Sequence, residues 1–322
     1  MIISKTPLRI PFAGGLTDLK RYASQFGGAT CSATIDRFVY VIVKPSAEDL
    51  MDLHYRDAHE RVTRAEALKH DLTREALLLT GTADRPLEIH ILADLNGESG
   101  LGSSGAVAIG LLHALHAFRG ESPSREQLVA EAAHIEIDVL GGASGYHDPA
   151  ICAFGGMNLI EYDGAGVTQR RADVSGAHLQ AFRDHLLVLY TGIHSRTKPS
   201  LHLLDSGMEQ AYDTLHAMKV LAFDMYDALN RGDMDAAGRT LHAQQEHKVR
   251  LPGLFHDEFV EATIQRARQL GLGIQIPGGK VGSYLLVYCP TEKHKESARN
   301  AFRSFREIQI GFESEGTTAK AV

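Results

Sequence analysis

The segment Asn96–Ala106 reads N-G-E-S-G-L-G-S-S-G-A and stands between an apolar strand-like run and an apolar helix-like run. Glycines let a backbone turn tightly and approach a ligand closely. A helix starting here points free N–H groups and the positive end of its dipole back into the loop. The segment is therefore an anion site, and phosphate is the anion that suits it best. Three known patterns compete for it. Gly100, Gly102 and Gly105 satisfy G-x-G-x-x-G, but the dinucleotide fingerprint needs a strand after its helix and an acidic residue about 20 positions on. Here a second helix follows, over Ser122–Leu140, with no strand between. A nucleophile elbow needs glycines two away on both sides of a serine, which neither Ser103 nor Ser104 has. A P-loop needs Gly-Lys-Ser/Thr, and the chain's only Gly-Lys, Gly279-Lys280, runs on into Val281.

The elements that must position this loop follow from apolar spacing. Phe38–Lys44 is aromatic and β-branched and ends at Pro45, which predicts a strand. Leu87–Leu92 predicts a second strand leading into the glycine loop. Val107, Ile109, Leu111, Leu112 and Leu115 predict a mostly buried helix over Ser104–Phe118, stopped near Gly120. The next helix starts at Ser122-Pro123-Ser124. Pro123 suits a first helical position, Ser124 with Gln127 fits a capping box, and the inward stripe is Leu128, Ala132, Ile135 and Val139. M-N-L-I-E-Y after Gly155-Gly156 reads as a strand, followed by a polar stretch from Asp163 to Gly176. His185–Thr191 is again strand-like. Beyond it, helices over Lys198–Arg231, Met234–Lys248 and Asp257–Leu270 precede a strand at Tyr284–Cys289, a helix over Glu292–Phe305 and a closing strand near Glu307–Phe312. This is an α+β pattern, with a domain boundary near residue 180: an N-terminal domain of residues 1–180 and a C-terminal domain of 181–322.

Bulk properties fit such a protein. At 322 residues the chain suits two ordinary domains. A net charge of −7 without a long basic run argues against nucleic acid as the main partner. Cys31, Cys152 and Cys289 lie far apart among apolar or small neighbours, so they read as buried hydrophobes in a reducing cytoplasm rather than a disulfide framework or a zinc site. No run reaches the ~20 apolar residues of a membrane span, and the N-terminus is too short an apolar stretch for a signal peptide.

Followed by small residues, G-L-G-S-S resembles the ATP-phosphate loop of the GHMP kinases (galacto-, homoserine, mevalonate and phosphomevalonate kinases). Two further segments strengthen the likeness. K-T-P-L-R-I-P-F-A-G-G-L-T-D-L, followed by G-G-A-T-C-S-A-T-I-D-R-F-V-Y-V, resembles the opening of the D-glycero-D-manno-heptose 7-phosphate kinases. I-E-I-D-V-L-G-G-A-S-G-Y-H-D-P-A-I-C-A-F-G-G resembles the stretch carrying that family's metal glutamate and catalytic aspartate. The ending F-R-E-I-Q-I-G-F-E-S-E-G-T is similar to the same branch. The resemblance implies an N-terminal domain like domain 2 of ribosomal protein S5, a ferredoxin-like C-terminal domain and an active site between them. It implies ATP held at Gly100, Leu101, Gly102, Ser103, Ser104 and Gly105, and Mg²⁺ on Ser104 and Glu136. Asp148 is the implied base, with Arg9 in place of the family's lysine. The sugar falls to Gly14, Gly15, Thr17, Asp18 and His147, with Gly278, Gly279 and Lys280 on the phosphate side.

Phosphoryl transfer independently asks for these residue types: a cation bridging the phosphates, a positive charge near the transferred group and an oriented nucleophile. Magnesium takes hard oxygen ligands and keeps several waters, so one hydroxyl and one carboxylate suffice. A carboxylate near an arginine suits deprotonation of a hydroxyl. Each residue also has a plainer reading. Asp148, before Pro149, starts turns or caps helices. Glu136 fits a solvated helix face, Ser104 a helix cap, Asp18 a cap for a helix through Tyr22, and Arg9 a strand flank. His147 reads as packed or at the substrate's edge rather than as a proton shuttle, and histidines such as His242 and His247 as surface residues. One departure stands out: where the family has G-A-G-G-G-G, this chain has Gly278-Gly279-Lys280-Val281-Gly282-Ser283, and a β-branched residue resists positive φ.

The leading expectation is a kinase acting with ATP and Mg²⁺ on the anomeric hydroxyl of a heptose 7-phosphate, or of a related seven- or eight-carbon sugar phosphate, for activated-sugar biosynthesis. Arg37 and Arg196 are candidate contacts for the distal phosphate. The alternatives are a kinase for another sugar such as fucose, and a non-catalytic sugar sensor. A homodimer is compatible with the sequence.

Overall fold

In the structure, a computed structural model, residues 1–95, 100–142, 144–163, 166–193, 197–279 and 282–322 are described, Thr197 and Lys198 by their backbone alone. The first half contains β1 (Ile2–Ala13), α1 (Lys20–Phe26), β2 (Gly28–Pro45), β3 (Met51–Tyr55), β4 (Ala58–Val62), α2 (Asp71–Leu79) and β5 (Leu87–Ala93). There follow α3 (Ser103–Phe118), α4 (Arg125–Ala133), a π-helical turn (His134–Val139), α5 (His147–Phe154), β6 (Met157–Tyr162), β7 (Val167–Arg171) and α6 (Gly176–Asp184). The second half runs β8 (Leu186–Tyr190), α7 (Thr197–Ser206), α8 (Met208–Arg231), α9 (Met234–Lys248), α10 (Glu258–Gln269) and β9 (Gly273–Gln275). It ends with β10 (Tyr284–Tyr288), α11 (Glu292–Ala301), β11 (Arg306–Glu307) and β12 (Thr318–Ala321).

Eight strands form one sheet, in the order β12-β1-β2-β5-β3-β4, with β6 also on β2 and β7 on β6. The 18-residue β2 is long enough to pair with β5 along one half and β6 along the other. Strand β1 contains Pro7 and Pro11, which donate nothing to a ladder, and its register with β2 shifts just after each of them. Arg9 lies between the two irregularities. Helix α3 packs on this sheet, and its Ile109, Leu112 and Leu115 are fully buried. Gly110 permits the close approach: a Cβ there would lie 3.1 Å from Val41, and its carbonyl accepts from Ser4 Oγ at 2.7 Å. The smaller sheet, β11-β8-β10-β9, is antiparallel and buries Leu187, Leu189, Ile274, Leu285 and Val287 with Val260, Ile264 and Phe302.

Most expected elements form, and the departures have physical reasons. Ser124 caps α4, its hydroxyl accepting from Gln127 N–H, so the helix starts at Arg125 and Pro123 lies outside it rather than at its first position. Leu128, Ala132 and Ile135 are buried as expected, but Val139 is 47% exposed. The π-helical turn adds a residue to the helical repeat, visible in Leu140 N–H donating to Ile135 O, and rotates Val139 off the stripe. The polar stretch from Asp163 to Gly176 contains β7. The single helix expected over Lys198–Arg231 is broken at Gly207. Near the end, Glu307–Phe312 contributes only the short β11, while β12 closes the chain against β1. Residue 180 falls inside α6. The three cysteines are free and buried. Among the described residues, no helix is long and apolar enough to cross a membrane.

Candidate active site

Asp148 occupies the first turn of α5, and its carboxylate reaches across to β1 instead of capping its own helix. Arg9 Nε donates to Asp148 Oδ1 at 2.8 Å and Nη2 to the same oxygen at 2.6 Å. The third guanidinium nitrogen, Nη1, donates to the Gly100 carbonyl at 2.5 Å, and Arg9 N–H donates to Leu101 O at 3.0 Å. One buried arginine thus ties the candidate base to the glycine loop. His147 Nδ1 lies 3.1 Å from the same Oδ1. Burial alone would raise the Asp148 carboxyl, but the Arg9 charge and His147 outweigh it and hold the carboxyl well below the usual carboxylate range. The side chain is still 34% exposed, so a ligand can reach it.

The glycines of the loop have steric reasons. Gly100 and Gly102 have φ of 76° and 80°, where a side chain is strained. A Cβ on Gly102 would also lie 2.8 Å from the Arg9 side chain. Gly105 has ordinary dihedrals but sits against the start of α5, where a Cβ would come within 2.7 Å of the Asp148 backbone. Gly102 is the N-cap of α3, and Ser103 and Ser104 form its first turn, whose N–H groups point out of the helix toward the loop. Leu101 is fully buried beneath the loop. Asn96–Ser99, the first part of the motif, lie outside the described residues.

Ser104 Oγ donates to Glu136 Oε2 at 3.1 Å, and Ser144 Oγ donates to the same oxygen at 3.2 Å. The π-helical turn that rotates Val139 outward carries Glu136, which is 8% exposed and therefore not a solvated-face residue. Two hydroxyls and a carboxylate form a hard-oxygen donor set, which fits a hard divalent cation.

Asp18 and His147 form a second buried layer. Asp18 Oδ2 accepts from His147 N–H at 3.0 Å, while Leu19 is the N-cap of α1, so Asp18 does not cap that helix. Burial raises the Asp18 carboxyl above its ordinary value, and the neighbouring His147 partly opposes the shift. His147 is 4% exposed and its Nε2 lies 2.9 Å from Ser32 Oγ, the packed position expected of it. Thr17 uses its hydroxyl within the turn, donating to the carbonyls of Gly14 and Ala29. Gly14 N–H donates to Gln244 Oε1 at 2.9 Å, and Gly15 lies beside the same side chain. These turn residues shape the site by holding backbone in place. Arg37 turns to Asp36 and to the Gln309 carbonyl, with no contact to Arg9 or Asp148 among the described residues. Arg196, Lys280 and Val281 lie outside the described residues.

Lys248, on α9, was not singled out by its sequence context. It is 3% exposed, and its Nζ donates to Ile276 O at 2.7 Å and to Gly278 O at 2.5 Å. Gly278 in turn sits against Gly100, where a Cβ would lie 2.9 Å from the Gly100 Cα, and Gly279 beside it is buried. Burial, reinforced by the Arg9 charge, pushes the Lys248 amine down to about 7. Gln244, one turn earlier, holds Gly14, so one face of α9 braces both the opening turn and the third glycine segment. In sequence these residues sit in the polar run H-A-Q-Q-E-H-K, whose only signal is an i, i+4 spacing common to any solvated helix.

Residues 63–156 match the GHMP kinases N terminal domain. The chain is 23% identical over 308 residues to the D-glycero-alpha-D-manno-heptose 7-phosphate kinase of Campylobacter jejuni subsp. jejuni serotype O:2, covering 91% of each protein. It is 25% identical over 324 residues to the L-fucokinase/L-fucose-1-P guanylyltransferase of Bacteroides fragilis, covering 88% of this chain and 34% of that one. The crystal structure of a D-glycero-D-manno-heptose 1-phosphate kinase from Bacteriodes thetaiotaomicron superposes with a TM-score of 0.82 at 20% identity, over 100% of this chain and 99% of that one. Residues 63–156 thus form a GHMP kinase N-terminal domain, and the whole chain has the fold of a sugar kinase, a phosphotransferase.

Proposed function

We propose that this kinase phosphorylates the anomeric hydroxyl of a sugar phosphate, D-glycero-D-manno-heptose 7-phosphate or a related seven- or eight-carbon sugar phosphate, as a step toward an activated sugar. The observation that carries the reading is the Arg9–Asp148 pair joined to the carbonyl of Gly100 in the phosphate loop. The likeness to the Campylobacter jejuni heptose 7-phosphate kinase supports the substrate class. In this reading the chain has two domains, divided near residue 180.

ATP is the phosphoryl donor, and Mg²⁺, held by Ser104 and Glu136, supplies charge neutralisation at its phosphates. The N–H groups at the start of α3 and the backbone of Gly100–Gly105 cradle the phosphates. The three contacts to Asp148 from Arg9 and His147 all fall on Oδ1, so the sugar hydroxyl donates to Oδ2. A carboxylate held this low stays ionised at neutral pH. It orients the hydroxyl first and takes its proton late, which suits a loose transition state with little demand for a strong base. Arg9 adds positive charge beside the transferred group. Asp18 and His147 line the sugar side, with the turn of Gly14, Gly15 and Thr17 beneath them.

ADP release measured against a panel of sugars and sugar phosphates tests the proposal. Heptose 7-phosphate or a close analogue should give the highest kcat/KM, and the same sugar without its phosphate a much lower one, because the free sugar lacks a charge-assisted contact. Equal efficiency on both would replace this reading with that of a free-sugar kinase, which the likeness to the Bacteroides fragilis L-fucokinase favours. Binding without ADP release would leave a sugar sensor.

A further inference from the structure

The outer face of the sheet at β4, β3 and β5 carries a cluster that the kinase reaction does not use. Pairing places His59 opposite His54 and His54 opposite His90, so three imidazoles form one row across three strands. Their rings stack, with centroids 4.1 Å apart for His54 and His59 and 4.3 Å apart for His54 and His90. Two residues along, the neighbouring row reads Arg61, Asp52, Glu88 and Lys44. Alternation along the strands puts Leu53 and Ile89 in the core and this polar set outside.

We propose that this face binds one divalent transition-metal cation of the zinc class through His54, His59 and Asp52. The Nε2 atoms of His54 and His59 lie 2.9 and 2.6 Å from a single atom, Asp52 Oδ1, so three donor atoms converge on one point. The three ligand atoms fall within 4.8 Å of one another. Asp52 is mostly covered while both histidines are well exposed, which leaves an approach from solvent. Two imidazole nitrogens and a carboxylate suit zinc, nickel, cobalt or copper, whereas magnesium and calcium prefer oxygen alone. Three protein ligands leave a further position for water.

The neighbouring set of His54, Glu88 and His90 is the weaker candidate. Glu88 Oε2 is paired with Lys44 at 2.8 Å and Oε1 with His90 Nε2 at 2.7 Å, so both of its oxygens are engaged. Asp52, by contrast, meets Arg61 only at 3.4 Å, through its other oxygen. His90 only stacks on the His54 ring and offers no atom to Asp52 Oδ1 among the described contacts. An ion here joins the edge strand β4 to β3 and favours the folded state, which alone assembles the site.

The test is calorimetric titration of the metal-free full chain with zinc chloride at pH 7.5, with thermal unfolding followed in parallel. The expected result is one saturable zinc per chain, with a Tm that rises in zinc but not to the same degree in magnesium. Asp52→Asn and His59→Gln should each weaken zinc by at least about tenfold, since even supporting partners of a metal ligand are worth that much. His90→Gln and Glu136→Gln should leave the affinity within about threefold. All four variants are checked for folding by their Tm without metal. Equal affinity across the variants means scattered binding to the chain's other histidines and overturns the proposal. Loss in Glu136→Gln places the zinc in the kinase site, and loss in His90→Gln alone moves it to the Glu88 set; either outcome overturns the ligand set assigned here.

Discussion

At the level of single residues, the site turns on which carboxylates are held ionised and by what. Asp148 is kept low by Arg9 and His147 against the effect of its own burial. Asp148→Asn should retain ATP affinity and lower turnover by about 10²–10⁴, the range for losing a positioned base. A turnover within a few-fold of the parent would remove Asp148 from the chemistry. The linked stability has a definite sign. A carboxyl depressed in the folded state stabilises the protein above its unfolded pKa of about 3.9, and that contribution drains away as pH falls through the folded pKa. The stability gap between parent and Asp148→Asn should therefore narrow below about pH 4. Glu136→Gln replaces an anionic oxygen beside Ser104 and Ser144 with a neutral one. It should raise the Mg²⁺ concentration for half-maximal rate, and an unchanged metal titration would leave Glu136 a packing residue.

Among the elements, α9 does what its sequence conceals. Its buried face fixes Gly14 through Gln244, and Ile276 with Gly278 through Lys248, so two backbone segments of the site depend on one helix. The Lys248 amine is pushed down to about 7 by burial and Arg9. Between about pH 7 and its unfolded value near 10.4, the unfolded chain holds a proton that the folded chain has released, so this group makes stability rise with pH across that window. Lys248→Met should remove that slope, read as the Tm difference between pH 7 and pH 9, and should raise KM through the loosened Gly278 segment. A variant with the parent's pH slope would mean that another group titrates there.

Across the whole molecule, the chain's last strand returns to its first. β12 pairs with β1 from Ile2↔Ala321 to Lys5↔Thr318, and β1 goes on to carry Arg9. The adjoining Thr317 hydroxyl lies 2.8 Å from that of Thr6. Deleting residues 318–322 exposes this edge of β1. At about 1 kcal/mol net per ladder hydrogen bond, the loss should lower Tm by roughly 5 °C. An unchanged Tm after truncation would make β12 a passive extension.

Much of this was legible in the order of the residues, because some information is local. The glycine loop, the buried periodicity of α3, the Ser124 cap and the limits of α9 depend on neighbours within a few positions. The resemblance to the GHMP kinases further named Ser104, Glu136, Asp148 and Arg9 as a group. Other features depend on partners distant in the chain. That Glu136 faces inward and Val139 outward follows from a π-helical turn, and apolar spacing that assumes an α-helix cannot register it. That Thr17 braces a turn while Asp18 meets His147 depends on the meeting of α1 and α5 ends. Lys248 and the histidine row share this property: a lysine in a polar helical run and three histidines on separate strands look solvated one at a time. Only packing α9 beneath the glycine segments strips the lysine of its water, and only pairing β4, β3 and β5 in one register gives the histidines one another as neighbours.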